Sequence, residues 1–244
     1  TVTARYSDRI IAVSDVCRDG LVRCGVPPGK IDVILNGTPP LPRLSETERA
    51  ALRAARGVAE GDFLVGILAR IEPYKGHMYL LEAAERLLGQ GRKIKILVAG
   101  TGEYEREVRA RARTPGVADA VEFLGFVEEP APFLGILDAQ VNASTVEATS
   151  LSLLEGMSIG LPAVASDDGG NTRVIRDGEN GLVFKSRDSA RLADCLARLM
   201  DDAALRDKLG AGALEIYARE FTGDRTARET ENTYRKVWEN HHGK

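Results

Sequence analysis

The sequence is poor in the residues that mark several classes of protein. Its 244 residues contain only three cysteines, Cys17, Cys24 and Cys195, an odd number without the spacing of a disulfide framework. This usage excludes a disulfide-rich scaffold and predicts reduced thiols in a cytoplasmic protein. No apolar run approaches the roughly 18–20 residues that a spanning helix needs, so we expect no insertion into a membrane. The net charge of −3 lacks the basic excess of a nucleic-acid-binding protein, so we expect no nucleic-acid partner.

Several cofactor motifs are also missing. No Gly-Lys-Ser/Thr phosphate loop occurs, and no His or Cys spacing indicates a metal site. Gly100 and Gly102 are similar to the start of a dinucleotide-binding fingerprint, but Glu105 stands where the third glycine would be. The pattern is therefore a weak signal for NAD. His77 is predicted to pack on its own helix rather than to bind a ligand.

The remaining composition is that of a folded protein, with 43% hydrophobic and 28% charged residues. Short segments rich in Val, Ile and Leu are apolar on both faces, as in strands covered on both sides. We predict strands at Arg9–Val13, Ile31–Leu35, Phe63–Ala69, Ile94–Ala99, Val121–Leu124, Ala139–Ala143, Ala163–Ser166 and Leu182–Phe184. We predict helices at Gly76–Leu88, Glu103–Arg113, Ser150–Ile159, Arg187–Met200, Ala203–Arg219 and Arg225–Asn240.

The alternation of strand and helix from Phe63 to about Met200 predicts an α/β fold with a parallel sheet flanked by helices. The first 60 residues offer only two strands and a helix, too little to bury a core. Residues 1–42 are therefore interpreted as the tail end of a preceding domain that is missing, and the initial Thr also suggests a cut piece. Residues 43–224 form the main domain. In the C-terminal helix and tail, 225–244, a stripe containing Trp238 predicts a helix that crosses back to the missing domain. Without that domain, Trp238 is expected either to pack on residues 1–42 or to lie exposed.

The polar and glycine-rich loops cluster at one edge of the predicted sheet. They follow the carboxyl ends of the strands, where open parallel sheets bind ligands. Arg70 and Lys75 share one such loop before a helix, and Ser150 and Leu151 open another helix at the same edge. Two cations and free helix N–H groups predict a phosphate site. The alternative is that Arg70 pairs with Glu72 and that Lys75 is a solvated surface charge.

Glu147 and Glu155 are paired carboxylates eight positions apart, one in a loop and one inside the next helix. Carboxylates accept hydrogen bonds from vicinal hydroxyls, as on a ribose or a hexose. The alternative for Glu155 is that it only balances the helix N-terminus. The helix around it, with Leu151 among its apolar residues, is predicted to be buried, which makes an idle carboxylate costly.

Two further pairs of neighbouring residues each have two possible interpretations. Gly169 and Gly170 either let backbone approach a ligand or form a tight turn. Asp167 and Asp168 either attract a cation or form a turn, and we favour the turn.

Several different short motifs follow one another along the chain in a specific order. They are Val33-Ile-Leu-Asn36-Gly37, Ala69-Arg70 with Lys75-Gly76, Val98-Ala-Gly100-Thr-Gly102-Glu103, Val121-Glu-Phe-Leu-Gly125, Glu147-x7-Glu155-Gly156-Met157, Gly160-Leu-Pro162-Ala-Val-Ala-Ser166, Gly169-Gly170 and Asp177-Gly178-Glu-Asn180-Gly181. In this order and spacing, the chain from about Ser7 onward resembles the C-terminal domain of the retaining glycosyltransferases of family 4. Those enzymes have two facing Rossmann-like domains, the GT-B architecture.

The resemblance implies a Rossmann-like domain at 43–224 that binds a nucleotide sugar, with 1–42 belonging to the acceptor domain and the junction. It implies that Arg70 and Lys75 hold the diphosphate, that Glu147 reaches the donor hexose and that Glu155 holds the ribose hydroxyls. The base would lie along the segment after Leu124, and other donor contacts would come from nearby loops. The implied donor-binding residues besides Glu155 are Gly100, Gly102, Gly125, Phe126, Val127, Thr149, Ser150 and Leu151.

The implied reaction moves a hexose from a nucleotide-diphosphate sugar, with UDP favoured over GDP, to a sugar, lipid or polysaccharide-precursor acceptor. It keeps the anomeric configuration and requires neither a metal nor another cofactor. The acceptor would bind through the missing domain, which could also attach the protein to the cytoplasmic face of a membrane.

The chain departs from the family pattern at two places. Glycines usually surround the first Glu, whereas here Glu147 is followed by Ala148, Thr149 and Ser150. Three residues after the glycine pair the family usually has Glu, whereas here it is Arg173. This reversed charge puts the ion pairing of the site and the donor choice in question.

Two other functions compete with transfer. A sugar-nucleotide epimerase of the same architecture would need carboxylates and histidines across the cleft, and only His77 is near. A binding module without turnover is disfavoured because Arg70, Lys75, Glu147 and Glu155 are all present.

Overall fold

The computed structural model describes residues 2–243. The first half of the chain contains α1 (Val2–Tyr6), β1 (Ile10–Ala12), α2 (Asp15–Arg23), β2 (Ile31–Val33), α3 (Glu46–Ala55), β3 (Phe63–Leu68), α4 (His77–Gly89), β4 (Ile94–Ala99), α5 (Glu105–Ala112) and β5 (Val121–Gly125). The second half contains α6 (Pro130–Gly135), β6 (Ala139–Asn142), α7 (Leu151–Ser158), β7 (Ala163–Ser166), α8 (Asn171–Val174), β8 (Gly181–Phe184), α9 (Ser189–Asp201), α10 (Ala203–Glu220) and α11 (Gly223–His242). Single 3-10 turns lie at Pro28–Lys30, Pro73–Lys75 and Ala118–Ala120.

Strands β3 to β8 form one parallel sheet in the order β5-β4-β3-β6-β7-β8. The chain therefore builds outward from β3 to β5 and then returns to place β6 on the other side of β3. The reversal leaves a crevice at the carboxyl ends of β3 and β6, where ligands bind in folds of this type.

The period-two pattern of the strands explains why helices cover both faces. In β3, Val65 and Ile67 pack into a core built with α4, α5 and α9, whereas Leu64 packs on the other face with α6. All of these side chains are at least 99% buried. The predicted α/β fold with a parallel, helix-flanked sheet is confirmed.

All eight predicted strands lie on observed strands, and two of them have identical bounds. The prediction of a single helix in the first 60 residues was wrong, because α1, α2 and α3 all form there. Helices α6 and α8 were not predicted. They have six and four residues, too few to show a helical period in the sequence.

Strands β1 and β2 form a separate parallel pair with a small core of Ala12, Val26 and Ile31. This pair is linked to the main domain where the segment around Thr38 runs beside the segment that joins α10 to α11. Thr38 donates its backbone N–H to the carbonyl of Phe221 at 3.1 Å and accepts from Gly223 at 2.9 Å. The assignment of residues 1–42 to another domain stays a prediction.

Helix α11 lies against residues 1–42 through two threonine hydroxyls. Thr226 donates to the carbonyl of Leu35 at 2.8 Å, and Thr233 bonds to Asp32 at 3.2 Å. Trp238 is nevertheless 64% exposed. The helix therefore packs on residues 1–42 while its aromatic stripe faces outward. No helix within residues 2–243 is both long enough and apolar enough to cross a bilayer.

Candidate active site

The loop after β3 brings two cations to the crevice. It turns through Pro73–Lys75 and enters α4 at Gly76, whose φ of 76° belongs to the left-handed region that favours glycine. A Cβ on Gly76 would lie 2.0 Å from the carbonyl oxygen of Ala143. This glycine therefore allows the loop after β3 to lie directly on the end of β6.

Lys75 and Glu147 form an ion pair across that contact. Lys75 Nζ lies 2.7 Å from Glu147 Oε2, and the two side chains are only 16% and 10% exposed. Arg70 is exposed and donates to the hydroxyl of Tyr74 at 2.6 Å. The alternative in which Lys75 is a solvated charge and Arg70 pairs with Glu72 is therefore not what the structure shows.

A cleft of about 220 Å³ lies between the loops that follow β3 and β6. Six of the predicted site residues line it: Arg70, Lys75, Glu147, Thr149, Ser150 and Leu151. The first turn of α7 also opens here, and Ser150 caps it by accepting from the amide of Leu153 at 3.4 Å. Cationic side chains and a helix N-terminus in one cleft favour an anionic ligand.

The start of α7 differs from its predicted burial. Leu151 is 49% exposed, although the sequence pattern placed it among buried residues. The next turn is buried as predicted, with Leu153 and Leu154 at 1% and 0% exposure. Leu151 is the first residue of the helix, at the cleft, so its position is outside the apolar stripe.

The predicted glycines beside the cleft serve backbone packing. A Cβ on Gly100 would lie 1.9 Å from the carbonyl oxygen of Ala69, and one on Gly102 would lie 2.2 Å from that of Ile71. Gly100 also donates its N–H to the carbonyl of Gly125 at 2.7 Å. These contacts hold the ends of β3, β4 and β5 at one edge of the sheet.

The predicted base-binding segment lies at that same edge but outside the cleft. Gly125 ends β5, the edge strand, which is separated from β3 by β4. Phe126 is 77% exposed, whereas Val127 packs against the core under α6.

Glu155 also lies outside the residues that line the cleft. It is the fifth residue of α7 and is partly buried, and burial raises the pKa of its carboxyl. Within residues 2–243 its carboxylate has no hydrogen-bond or ion-pair partner, so it is not held by another side chain.

The glycine pair after β7 supports the loop that carries Glu147. Gly170 donates to the carbonyl of Glu147 at 2.7 Å, and a Cβ there would lie 1.7 Å from the carbonyl oxygen of Ala148. The close approach is therefore to another loop of the chain. Asp167 accepts from the amide of Ser186 at 2.8 Å, which agrees with a turn.

Arg173, the reversed charge, has a partner of its own. It donates to Glu220 at 2.9 Å, and Arg176 donates to both oxygens of the same carboxylate at 2.6 and 2.8 Å. The extra positive charge is thus paired at the end of α10 and makes no ion pair with Glu147.

His77 is 2% exposed, and neither ring nitrogen has a hydrogen-bond partner in the part of the chain that the structure describes. Burial, with a smaller effect of the nearby Lys75, lowers its pKa to about 4. The imidazole is therefore neutral at pH 7 and buried at the first residue of α4.

Sequence reasoning missed Ser144, which donates to Glu147 Oε2 at 3.2 Å. It also missed Asn142, which is buried at the end of β6, a short strand that holds a second buried polar residue, Gln140. A polar residue at the end of such a strand was the available signal.

A parallel α/β sheet with a cationic cleft at its strand reversal is typical of nucleotide- or phosphate-binding domains of the Rossmann type. The comparisons narrow this class. Residues 48–215 match the family model of the glycosyl transferases group 1, and the chain belongs to that family.

Relatives and solved structures agree with this family. The chain is 32% identical over 249 residues to a D-inositol 3-phosphate glycosyltransferase of Kribbella flavida, covering 96% of this chain and 57% of that protein. It is 27% identical over 195 residues to the alpha-D-kanosaminyltransferase of Streptomyces kanamyceticus, covering 79% of this chain and 50% of that protein. The crystal structure of Anabaena HepE with UDP-glucose superimposes with a TM-score of 0.90 at 25% identity, covering 96% of this chain and 65% of that one. The chain thus spans less than two thirds of the length of these proteins, and its fold is that of the GT-B glycosyltransferases.

Proposed function

We propose that this chain is the donor-binding half of a retaining glycosyltransferase that transfers a hexose from a UDP-sugar without a required metal. The observation that carries the proposal is the pair of Lys75 and Glu147, joined at 2.7 Å in the cleft at the strand reversal. A cation and a carboxylate side by side provide one group for a diphosphate and one for a sugar hydroxyl. Anabaena HepE, which binds UDP-glucose, supports UDP as the nucleotide.

In this proposal Arg70, Lys75 and the amides at the start of α7 hold the diphosphate. Glu147 accepts hydrogen bonds from the hexose, and Glu155 accepts them from the ribose. The bond between the anomeric carbon and the β-phosphate oxygen breaks, and both electrons stay with UDP. The acceptor oxygen bonds to the anomeric carbon with retained configuration, and its proton passes to the departing phosphate.

The cations stabilise the negative charge that develops on the leaving diphosphate. Donors fixed in advance around such a charge act more strongly than water does, because they need no reorganisation during the reaction. This role is what a metal ion supplies in other enzymes. The acceptor, a sugar, a lipid or a polysaccharide precursor, would bind through a domain that this chain lacks, and a cytoplasmic location remains a prediction.

Calorimetric titration with UDP, GDP and ADP tests the donor assignment. We expect binding of UDP with a dissociation constant in the micromolar to millimolar range, with the other nucleotides weaker. Lys75→Ala and Glu155→Ala should each weaken UDP binding by ~10-fold or more, which is ~1.4 kcal/mol. Glu179→Ala, an exposed glutamate after α8, is the matched control and should bind as the unchanged protein does.

Two results would contradict the assignment. One is the absence of binding for all three nucleotides, and the other is UDP binding that Lys75→Ala leaves intact. Transfer itself is tested in the full-length protein by release of UDP from UDP-glucose, which should require an acceptor. An isomerase would convert the sugar nucleotide without releasing UDP.

A further inference from the structure

The carboxylate of Glu147 is held by two donors that reach the same oxygen. Oε2 accepts from Lys75 Nζ at 2.7 Å and from Ser144 Oγ at 3.2 Å. Oε1 has no hydrogen-bond partner within residues 2–243. One oxygen is thus fixed by the protein, and the other is left to bind something else.

Ser144 is itself held rigidly. It is 1% exposed, and its amide donates to Asn142 Oδ1 at 3.0 Å. Its carbonyl accepts from Ser166 Oγ at 2.5 Å. Both backbone groups of the residue are therefore bonded, which fixes the direction from which its hydroxyl approaches Glu147.

The support for Ser144 continues one layer deeper. Asn171, fully buried, donates to Ser166 Oγ at 2.9 Å, and its own Oδ1 has no hydrogen-bond partner among the described residues. Buried polar groups cost free energy unless they are bonded, and apolar side chains would fill the same space with less penalty. This buried polar network leads from α8 to the hydroxyl of Ser144, which bonds to Glu147. It is costly as core packing, but it orients the Glu147 carboxylate effectively.

The two donors to Glu147 differ in what else they can bind. Lys75 is a cation beside Arg70, so a bound diphosphate competes with Glu147 for its ammonium group. Ser144 is buried and not among the residues that line the cleft, so a ligand does not compete for its hydroxyl. Ser144 therefore keeps Glu147 in place when Lys75 turns to the phosphates.

We propose that Ser144 is a positioning residue that fixes the carboxylate of Glu147 so that Oε1 receives a hydroxyl of the donor hexose. The inference rests on the proposed function and adds to it a residue that selects for the sugar of the donor. In this role Ser144 differs from the groups that bind the nucleotide, because Ser144 acts on the donor only through Glu147.

Titration of the protein with UDP and with UDP-glucose tests the role. Ser144→Ala should leave the dissociation constant of UDP within about twofold and weaken UDP-glucose by ~5–10-fold, the effect of losing one typical hydrogen bond. Ser144→Cys nearly keeps the volume and supplies a weaker donor, so it should weaken UDP-glucose in the same way even if the alanine variant folds poorly. Ser189→Ala, a buried serine at the start of α9, is the matched control and should change neither constant.

A double-mutant cycle separates positioning from a structural effect. In a Glu147→Ala background, Ser144→Ala should cause no further loss of UDP-glucose affinity. A loss that persists in that background, or an equal loss for UDP and UDP-glucose, would overturn the inference and leave the proposed function standing. Absence of UDP and UDP-glucose binding by the unchanged protein would instead overturn the proposed function, and this inference with it.

Discussion

Glu220 at the end of α10 provides the prediction with the clearest magnitude. Its side chain is 12% exposed and receives the guanidinium groups of Arg173, Arg176 and Arg219. Burial alone would raise the pKa of Glu220, but the hydrogen bonds from the three arginines outweigh it and lower the pKa from 4.5 to about 2. The carboxylate is therefore stabilised in the folded state, and its removal should destabilise the fold.

The size and sign of the effect follow from the two pKa values. The difference between the two pKa values corresponds to on the order of 3 kcal/mol at neutral pH. The side chains of Arg173 and Arg219 are 42% and 52% exposed, so solvent screens part of this electrostatic stabilisation. We expect Glu220→Gln to lower the free energy of unfolding by ~2 kcal/mol at pH 7. Because the folded pKa is depressed, the stabilisation is complete above the unfolded value of 4.5 and is lost as the pH falls toward 2.

Urea denaturation of both proteins between pH 3 and pH 7 measures this difference. By ~pH 3 it should have fallen below half of its value at pH 7. Glu215→Gln is the matched control, since that carboxylate is 75% exposed and, within residues 2–243, pairs only with Arg219, and it should cost less than ~0.5 kcal/mol. A difference for Glu220→Gln that does not change with pH would refute the reasoning, because it would arise from packing rather than from charge.

Three further substitutions test the site and its supports. Gly170→Ala should destabilise the fold by ~1–3 kcal/mol in calorimetry, because the new Cβ would lie 1.7 Å from the carbonyl oxygen of Ala148, whereas Gly29→Ala, with nothing within 4 Å, should be near neutral. Glu155→Gln should raise the melting temperature at pH 7, because burial raises the pKa of Glu155 and its ionised form therefore weakens the fold; this gain should fade below about pH 4.5, and its absence at pH 7 would contradict the explanation. Thr149→Val removes a 3.1 Å hydrogen bond to the carbonyl of Val13, just after β1, and should lower the free energy of unfolding by ~1 kcal/mol in urea denaturation. An unchanged stability would show that this bond does not hold residues 1–42 to the main domain.

The sheet and the meeting of Lys75 with Glu147 were predictable for the same physical reason. Strands covered on both faces are apolar throughout, as in Phe63–Leu68, and parallel strands bring their carboxyl ends to one edge. Residues that follow two such strands are then close when the strands are neighbours, as β3 and β6 are in the structure, even when the residues are 72 positions apart in the chain.

Other parts of the site depend on details that a pattern does not contain. The hydroxyl of Ser144 reaches Glu147 only because its backbone is fixed by side chains from β6 and β7. The exposure of Leu151 depends on where the first turn of α7 opens, and that is set by the cap at Ser150. The place of Glu155 beyond the cleft lining depends on the direction of the same helix.

The contact of Gly76, Gly100, Gly102 and Gly170 with neighbouring carbonyl oxygens has a consequence for how this fold changes over evolutionary time. Each of these glycines is required to bring two loops together, whether or not a donor is ever bound. A descendant of this chain that had lost all turnover would still be selected to keep them as long as it folded. The glycine motifs therefore record the ancestry of the scaffold. In the proposed function, the joint presence of Lys75 and Glu147 in related genomes would be the better guide to which copies have kept the reaction.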